Sequence, residues 1–497
     1  MSSMTSSMRA SVSGGDTEVR LWQNTSLVLF SILAAVPWVA GASAGAVDGR
    51  EIRQRLDVLE QRIRQLERER AELQHSLEEP YISATEPEIA ARLKAVESQV
   101  DSYRQAARTV ESLQGISAGV GLTMMVQGVS GSPAGDSKDG ELSYRGDATV
   151  SLPAGTLGAA QGFIFTHFRM GQGLGLENPG DAFASLNATS FQRPGSEASD
   201  STVLLAQAWY QLDLPLPLGG NPDLSRRHLE FNFGKMDPFL FFDQNAIADD
   251  ETRGFVNQAF IHNPLLDVGG DVGVDEFGFT PGLRLAYIDD FYKPQQYGIS
   301  LGLFGSGEGA SFSDSLDAPF VILQVETGQR LFSGLAGNYR LYGWHNGRGS
   351  DFDGRVTGHG GVGVSLDQQV ADYATLFLRA GWQTQGRVAF DRAVTLGGEW
   401  GGSYWGRGAD ALGVALGWLA VADVFGRASL TLDADGDGSP DHGYRARGSE
   451  QIVEIYYRYR LNGQFTLSPN LQHLRNPGGN GDASAITAAG LRVQLSF

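Results

Sequence analysis

Glu450–Phe497 reads EQIVEIYYRYRLNGQFTLSPNLQHLRNPGGNGDASAITAAGLRVQLSF, and the alternation within it decides the fold. In the final run Leu491, Val493, Leu495 and Phe497 fall on one face, with Arg492, Gln494 and Ser496 on the other. Phe465, Leu467 and Leu471 likewise oppose Gln464, Thr466, Ser468, Asn470 and Gln472, while Val453, Ile455, Tyr457, Tyr459 and Leu461 oppose Glu454, Tyr456, Arg458 and Arg460. Residues two apart share a face in a strand, so each run is a strand with one apolar and one polar side. A soluble sandwich, with one face on a core and the other in water, satisfies the same pattern. Size, repetition and termination separate it from a membrane barrel, whose apolar face meets lipid.

From Ser117 onward the pattern recurs in about sixteen runs, an even number as a bacterial single-chain barrel requires. They begin near Ser117, Gly140, Gly158, Ser201, Arg226, Phe279, Gln296, Pro319, Gly337, Gly358, Tyr373, Ala393, Ala411, Glu450, Gln464 and Ala485. Connections after even runs are mostly short, such as Asn462-Gly463 and Gly406–Asp410; those after odd runs are mostly longer, such as Gln172–Asp200 and Val424–Ser449. Short turns on one rim and long loops on the other describe an outer-membrane barrel, and with both ends periplasmic the long loops lie outside. The expected fold is therefore all-β, a transmembrane antiparallel barrel over residues 115–497. Phe497, ending a run of alternate apolar residues, resembles the carboxy-terminal signal read by the outer-membrane assembly machinery.

Composition agrees. The 497 residues include 66 Gly and 10% aromatics without a Gly-X-Y period, which excludes collagen and simple disorder and suits many strands joined by Gly-rich turns. With no Cys there is no disulfide, zinc-finger or iron–sulfur framework. Lys+Arg number 38 against 57 Asp+Glu, a formal charge of -19, which argues against nucleic acid as a partner.

The stretch Ser26–Ala44 (SLVLFSILAAVPWVAGASA) contains Pro37 and ends Ala42-Ser43-Ala44, a small-x-small cleavage pattern, so residues 1–44 read as an export signal. A membrane anchor is the competing reading, but the apolar run barely reaches the ~20 residues a span needs. Asp16 and Glu18 stand beside Arg9 and Arg20, so the leading segment is not clearly basic, and a start codon further downstream is the alternative. Residues 45–114 follow as an α-helical coiled coil. Ile52, Leu56, Leu59, Ile63, Leu66, Leu73 and Leu77, with Arg70 at the intervening seam position, then Ile89, Leu93, Val96, Val100, Tyr103, Ala107 and Val110, fall alternately four and three apart, with a break near 79–88 at Pro80. An amphipathic helix packed on its own domain competes with a periplasmic coiled coil that joins copies of the chain.

The longest connection, Phe239–Gly278, carries Asp243, Asp249, Asp250, Glu251, Asp267, Asp271, Asp275 and Glu276 against one Arg, Arg253. A sixteen-strand lumen is too wide for wall side chains to fill, so this connection is expected to fold inside and narrow it. Phe239, Leu240, Phe241, Phe242, Phe255 and Phe260 would pack it onto the wall rather than stand in water. The competing reading is a solvated surface loop.

The stretch GKMDPFLFFDQNAIADDETRGFVNQAFIHNPLLD (Gly234–Asp267), with TPGLRLAYID (Thr280–Asp289), resembles the carbohydrate-selective outer-membrane porins. So do GRGADALGVALG (Gly406–Gly417), EQIVEIYYRYRL, SPNLQHLRNPGG and GLRVQLSF. The resemblance spans nearly all of the barrel and implies a passive channel for sugars and other small solutes, with no cofactor and no catalysis. Some relatives also carry a periplasmic coiled coil.

A sugar-selective constriction needs planar hydrogen-bonding groups for vicinal hydroxyls and aromatic faces for the pyranose ring. Inward parity supplies Arg284, Arg340, Arg379, Glu399, Arg458, Arg460 and Arg492, with Tyr342, Trp344 and Tyr456. Together with Asp243, Asn245, Asp249, Asp250, Glu251 and Arg253 of the connection, these are the candidate solute contacts. Loop acids facing wall arginines would set up a transverse field that retards both ion signs while neutral polyols pass. The alternative role for each residue is a structural ion pair that fixes the loop. Outward-parity Tyr457, Tyr459, Phe465 and Phe497 are expected at the membrane interface.

Asp433, Asp435, Asp437 and Asp441 space carboxylates as a calcium loop does, with Gly438 at the sixth position. Position twelve is Tyr444 rather than Glu, so a bound calcium competes with a flexible acidic turn. None of the eight His falls in HExxH spacing, and no Ser-His-Asp grouping or phosphate-cradling Gly loop stands out. Two functional alternatives remain, a general or siderophore-type iron-uptake porin and a barrel-embedded hydrolase.

Overall fold

A computed structural model of the chain describes residues 116–497 apart from 131–139, 174–175, 177–180, 193–199, 219–224, 268–277, 293–294, 308–316 and 333. The export signal, the coiled coil, and Asp271, Asp275 and Glu276 of the long connection lie outside the described residues.

Sixteen antiparallel strands close into one barrel, each bonded to its neighbours in sequence, with the first bonded to the last. They are β1 (Ser117–Ser130), β2 (Gly140–Leu157), β3 (Ala160–Gln172), β4 (Thr202–Pro215), β5 (Arg227–Met236), β6 (Thr280–Asp289), β7 (Gln296–Phe304) and β8 (Phe320–Leu331). The circuit continues through β9 (Leu335–Ser350), β10 (Val356–Ala371), β11 (Ala374–Gln385), β12 (Phe390–Gly401), β13 (Ala411–Val421), β14 (Ser449–Arg460), β15 (Phe465–Arg475) and β16 (Ile486–Ser496). Each begins within three residues of the start read from the alternation. Closure satisfies every edge: Met125 lies opposite Arg492 and Leu122 opposite Leu495. Phe497 completes the seam, its N–H donating to the Val120 carbonyl at 2.8 Å while its own carbonyl accepts from Val120 N–H at 3.1 Å.

The two faces sort as the parity required. Val126, Leu285, Val325, Leu341, Ile455 and Leu471 point outward and are exposed, a continuous apolar surface that only lipid would cover. Gln127, Asn232, Gln324, Arg340, Arg379, Glu454 and Arg492 point inward and are buried.

Connections alternate in length around the rims, with two departures. The β9–β10 and β11–β12 connections, 351–355 and 386–389, are tight although they lie on the rim of long connections. Buried Asp351 knits them together by accepting from His359 Nε2 at 2.9 Å, Thr357 Oγ1 at 2.9 Å and Arg387 N–H at 2.9 Å. Between β13 and β14 a short helix α1 (Asp423–Ala428) buries Phe425 with Val421, Ala422 and Ala446.

The main apolar core is off-centre. Phe242, Phe255, Phe260, Ile261, Leu265 and Leu266 of the β5–β6 connection pack with Phe377, Ala393, Ala415, Leu419, Ile452 and Tyr456 on β11 to β14. Phe304 on β7, Phe320 and Ile322 on β8 and Tyr342 and Trp344 on β9 belong to the same core, so the connection is folded into the barrel and glued to these strands as well as to β11–β14, each buried Phe contributing about 1.5–3 kcal/mol.

Candidate functional site

One anchor of the infolded connection is its own Asp243 carboxylate. Asp243 sits at φ 57°, a left-handed conformation that Asp tolerates better than most residues, and is fully buried. Its carboxylate accepts from Tyr342 Oη at 2.6 Å, Arg379 Nε at 3.0 Å and Asn263 N–H at 2.5 Å, and its own N–H donates to Gln324 Oε1 at 2.9 Å. Arg379, also fully buried, donates further to the carbonyls of Asp243 at 2.9 Å, Ala248 at 2.8 Å and Phe260 at 3.3 Å. A buried charge with that many partners is satisfied rather than available.

Other anchors follow around the wall. Asn245 donates to Ser365 Oγ at 3.3 Å and to the Leu366 carbonyl at 3.2 Å. Glu454 accepts from Val256 and Asn257 N–H at 2.8 and 2.9 Å. Arg492 donates to the carbonyls of Glu251, Gly254 and Arg253 at 2.6, 2.9 and 2.7 Å. Arg458 pairs with Glu399 at 2.8 Å and also reaches the Arg253 carbonyl, while Tyr456 donates to Glu399 and lies edge-on to Phe255 at 5.0 Å. Trp344 is buried beside Tyr342, 6.2 Å between ring centroids. The wall makes room with glycine: Gly363 and Gly381 face each other across β10 and β11, and a Cβ on either would come within 2.6 Å of Asn263.

A cavity of about 900 Å³ remains on the other side of the connection. Its walls are β1 to β9 and β16, and it runs from Ser117 and Gly328 on the short-turn rim to Arg169 and Phe279 toward the other. Trp209 forms an aromatic patch on this wall with Phe163, Phe165 and Phe241, at centroid distances of 5.7, 4.9 and 5.5 Å. Four lining guanidiniums stand along it, all with carboxylate partners. Arg145 and Arg169 each lie 2.8 Å from Asp147, Arg284 lies 2.8 Å from Glu230, and Arg340 lies 3.7 Å from Glu326 and 3.3 Å from buried Asp367.

On the facing connection Asp237, Asp249, Asp250, Glu251 and Asp267 line the cavity. Glu251 is bonded to Arg145, and Asp250 accepts from Thr252 N–H and Oγ1 at 2.9 and 2.6 Å. His262 stacks on Phe239 at 3.8 Å, 3.1 Å from Asp267 and 3.9 Å from Asp249. Burial alone would lower its pKa, but the Asp267 hydrogen bond and charge, with Asp249 and Asp237 nearby, push it up to about 9. Burial drives the Asp249 carboxyl well above the usual range, against the pull of His262 and Arg379.

The structure therefore divides the sequence-derived candidates. Asp249, Asp250, Glu251, Arg284 and Arg340 line the cavity. Asp243, Asn245, Glu399, Tyr456, Arg458 and Arg492, with the Arg253 carbonyl, fasten the connection, and Trp344 joins the core. Arg460 turns to the short-turn rim, where its guanidinium donates to the Asn462 and Gly463 carbonyls at 3.1 and 3.3 Å. Sequence reasoning missed Arg145, Asp147, His167 and Arg169 on β2 and β3, and the aromatic patch. Arg145 and Asp147 share the polar parity of β2, and Gln161, His167 and Arg169 share one face of β3, a signal that was there to use although Phe163 and Phe165 on that same face obscure it. It also missed a second infolded segment between β3 and β4, where the Leu186 carbonyl accepts from Gln127 and Gln472 at 3.0 and 2.8 Å.

Of the calcium-like carboxylates, Asp433, Asp435 and Asp441 converge within 4.8 Å. Asp437 is outside that group and accepts from Ser439 N–H at 2.7 Å. Asp433 and Asp441 likewise accept from the N–H groups of Gly438 and Ala434, both at 3.0 Å, and Tyr444 donates to the Gly478 carbonyl instead of turning to the acids.

Residues 293–497 match the family described as carbohydrate-selective porin, OprB family. Porin B of Pseudomonas aeruginosa is 27% identical over 159 residues, 30% of this chain and 35% of that protein, so the match spans about a third of the relative's length. The solved high-pH structure of Pseudomonas putida OprB covers 77% of this chain and 94% of its own, with a TM-score of 0.59 and 19% identity, a likeness of fold. A closed barrel with an apolar exterior and this family match belongs in the outer membrane.

Proposed function

We propose that the chain is a passive channel for sugars and other small polar solutes, and not an enzyme. The observation that carries this reading is the cavity beside the infolded connection, where the Trp209 aromatic patch stands along the same wall as the guanidiniums of Arg145, Arg284 and Arg340. A pyranose has apolar faces and a ring of hydroxyls, so it can lie on the first while exchanging water for bonds to the second. Each contact must be weak, since a tight site would stop flux. By parity with outer-membrane barrels the short-turn rim faces the periplasm, residues 45–114 form a coiled coil there, and Phe497 serves as the assembly signal.

Single-channel conductance of the refolded chain in a planar bilayer, titrated with mono- and disaccharides, tests the reading. Saturable, sugar-dependent block that weakens when the β5–β6 connection is shortened is the expected result. Ohmic channels indifferent to every sugar would favour a general or iron-uptake porin, and no channels at all would overturn the porin reading.

A further inference from the structure

Wall arginines facing loop acids would give a field balanced across the passage, but the structure does not hold that balance. The lining guanidiniums are Arg145, Arg169, Arg284 and Arg340, and each is already paired with a carboxylate on the wall itself. Among the described residues three wall carboxylates line the cavity, Asp147, Glu230 and Glu326, and the connection adds five, so eight carboxylates stand against four guanidiniums. Only His262 lies among Asp237, Asp249 and Asp267 to offset the surplus. With Asp249, whose carboxyl burial raises, counted neutral and His262 counted charged, seven carboxylates still face five cations. Asp249 also keeps one carboxylate oxygen, Oδ1, without a hydrogen bond. Five acids of the connection, Asp237, Asp249, Asp250, Glu251 and Asp267, line the passage itself, so the surplus lies along the solute's path.

We propose that the passage discriminates by charge in favour of cations, admitting amino sugars in their ammonium form ahead of neutral sugars and excluding sugar acids, with the carboxylates of the β5–β6 connection as the specificity-determining groups. This rests on the porin reading. A narrow passage with low-dielectric walls and one sign of excess charge concentrates counter-ions and repels co-ions, by about tenfold or more at low ionic strength. The effect is screened once the Debye length falls from ~30 Å at 0.01 M salt to ~3 Å at 1 M.

The test uses the full chain in planar bilayers across a tenfold KCl gradient, and in liposomes with glucose, glucosamine and glucuronate, three solutes of one size and different charge. A reversal potential of cation-selective sign is expected, with K+ favoured over Cl- by about threefold or more at low salt and near onefold at 1 M. Flux should fall in the order glucosamine, glucose, glucuronate. Asp249→Asn with Asp250→Asn keeps an amide oxygen for the Thr252 bonds and should cut the ion ratio at least in half. Should that variant not fold, the salt series on the unaltered chain decides alone. Conducting, sugar-blocked channels with no reversal potential, or with one of anion-selective sign, would overturn the charge proposal and leave the porin reading standing. Absence of any conductance would remove both.

Discussion

Asp243 and Arg379 show how much of a wide barrel's function can hang on one ion pair. Neither side chain touches water, and between them they tie the connection to β8, β9 and β11. Removing the guanidinium leaves a carboxylate buried without its countercharge, a loss on the order of 3–5 kcal/mol. Arg379→Met should therefore release the connection: single-channel conductance should rise, sugar block should weaken and protease should cut within 239–267. Adding Asp243→Asn removes the orphaned charge and keeps a residue tolerant of positive φ, so the double variant should recover part of the closure. Unchanged conductance in Arg379→Met would show that the apolar contacts suffice. Gly363 and Gly381 invite a gentler probe. An alanine methyl at either would crowd Asn263, overpacking that typically costs 1–3 kcal/mol, and noisier channels are expected without loss of the barrel. Parity placed Arg379, Arg458 and Arg492 inside, but it could not say that they hold a loop rather than a solute. That depends on where the connection lies, a tertiary fact with no periodicity in the sequence.

The β5–β6 connection behaves as an amphipathic element without regular structure. Phe242, Phe255 and Phe260 enter the core and Asp249, Asp250 and Glu251 line the cavity, while Phe239 and Phe241 join the acids on the cavity side and Asp243 joins the core. The connection's free edge is set by His262, held between Asp267 and Asp249 and stacked on Phe239. Because the folded pKa of about 9 lies above the ordinary 6.5, this contribution is fully present below about pH 6.5 and is lost as pH rises through 9. Between pH 7 and 10 the connection should loosen, seen as growing current fluctuations in a bilayer. His262→Asn should show those fluctuations at every pH, and a wild-type trace steady through pH 10 would count against the assignment. The segment between β3 and β4 that backs this connection escaped sequence reading because ties such as those of the Leu186 carbonyl to Gln127 and Gln472, and of the Phe183 and Ala184 N–H groups to Glu450, run through its own backbone, which no residue type announces.

For the whole molecule, strand number, boundaries and closure were legible because lipid on one side and polar lumen on the other impose a strict two-residue period. The lumen's interior plan was not, since it follows from which wall sector offers small residues to an infolding chain. The coiled coil expected over 45–114 belongs at this level too. If it joins copies of the chain or spaces the barrel from the cell wall, deleting Gly49–Gln114 should lower oligomer order or retention by the cell wall, and no change in either would reject both roles. The off-centre core has a further consequence for anyone altering this protein. Wall positions divide the labour by what they face, those on the cavity writing the passage's tariff and those on the connection hanging its door. Lumen variants should accordingly sort into two phenotypes: changes at Trp209, Arg284 or Arg340 would alter which solutes cross at a steady rate, and changes at Tyr342, Arg379 or Glu454 would leave the preference alone and alter how long the aperture keeps one size.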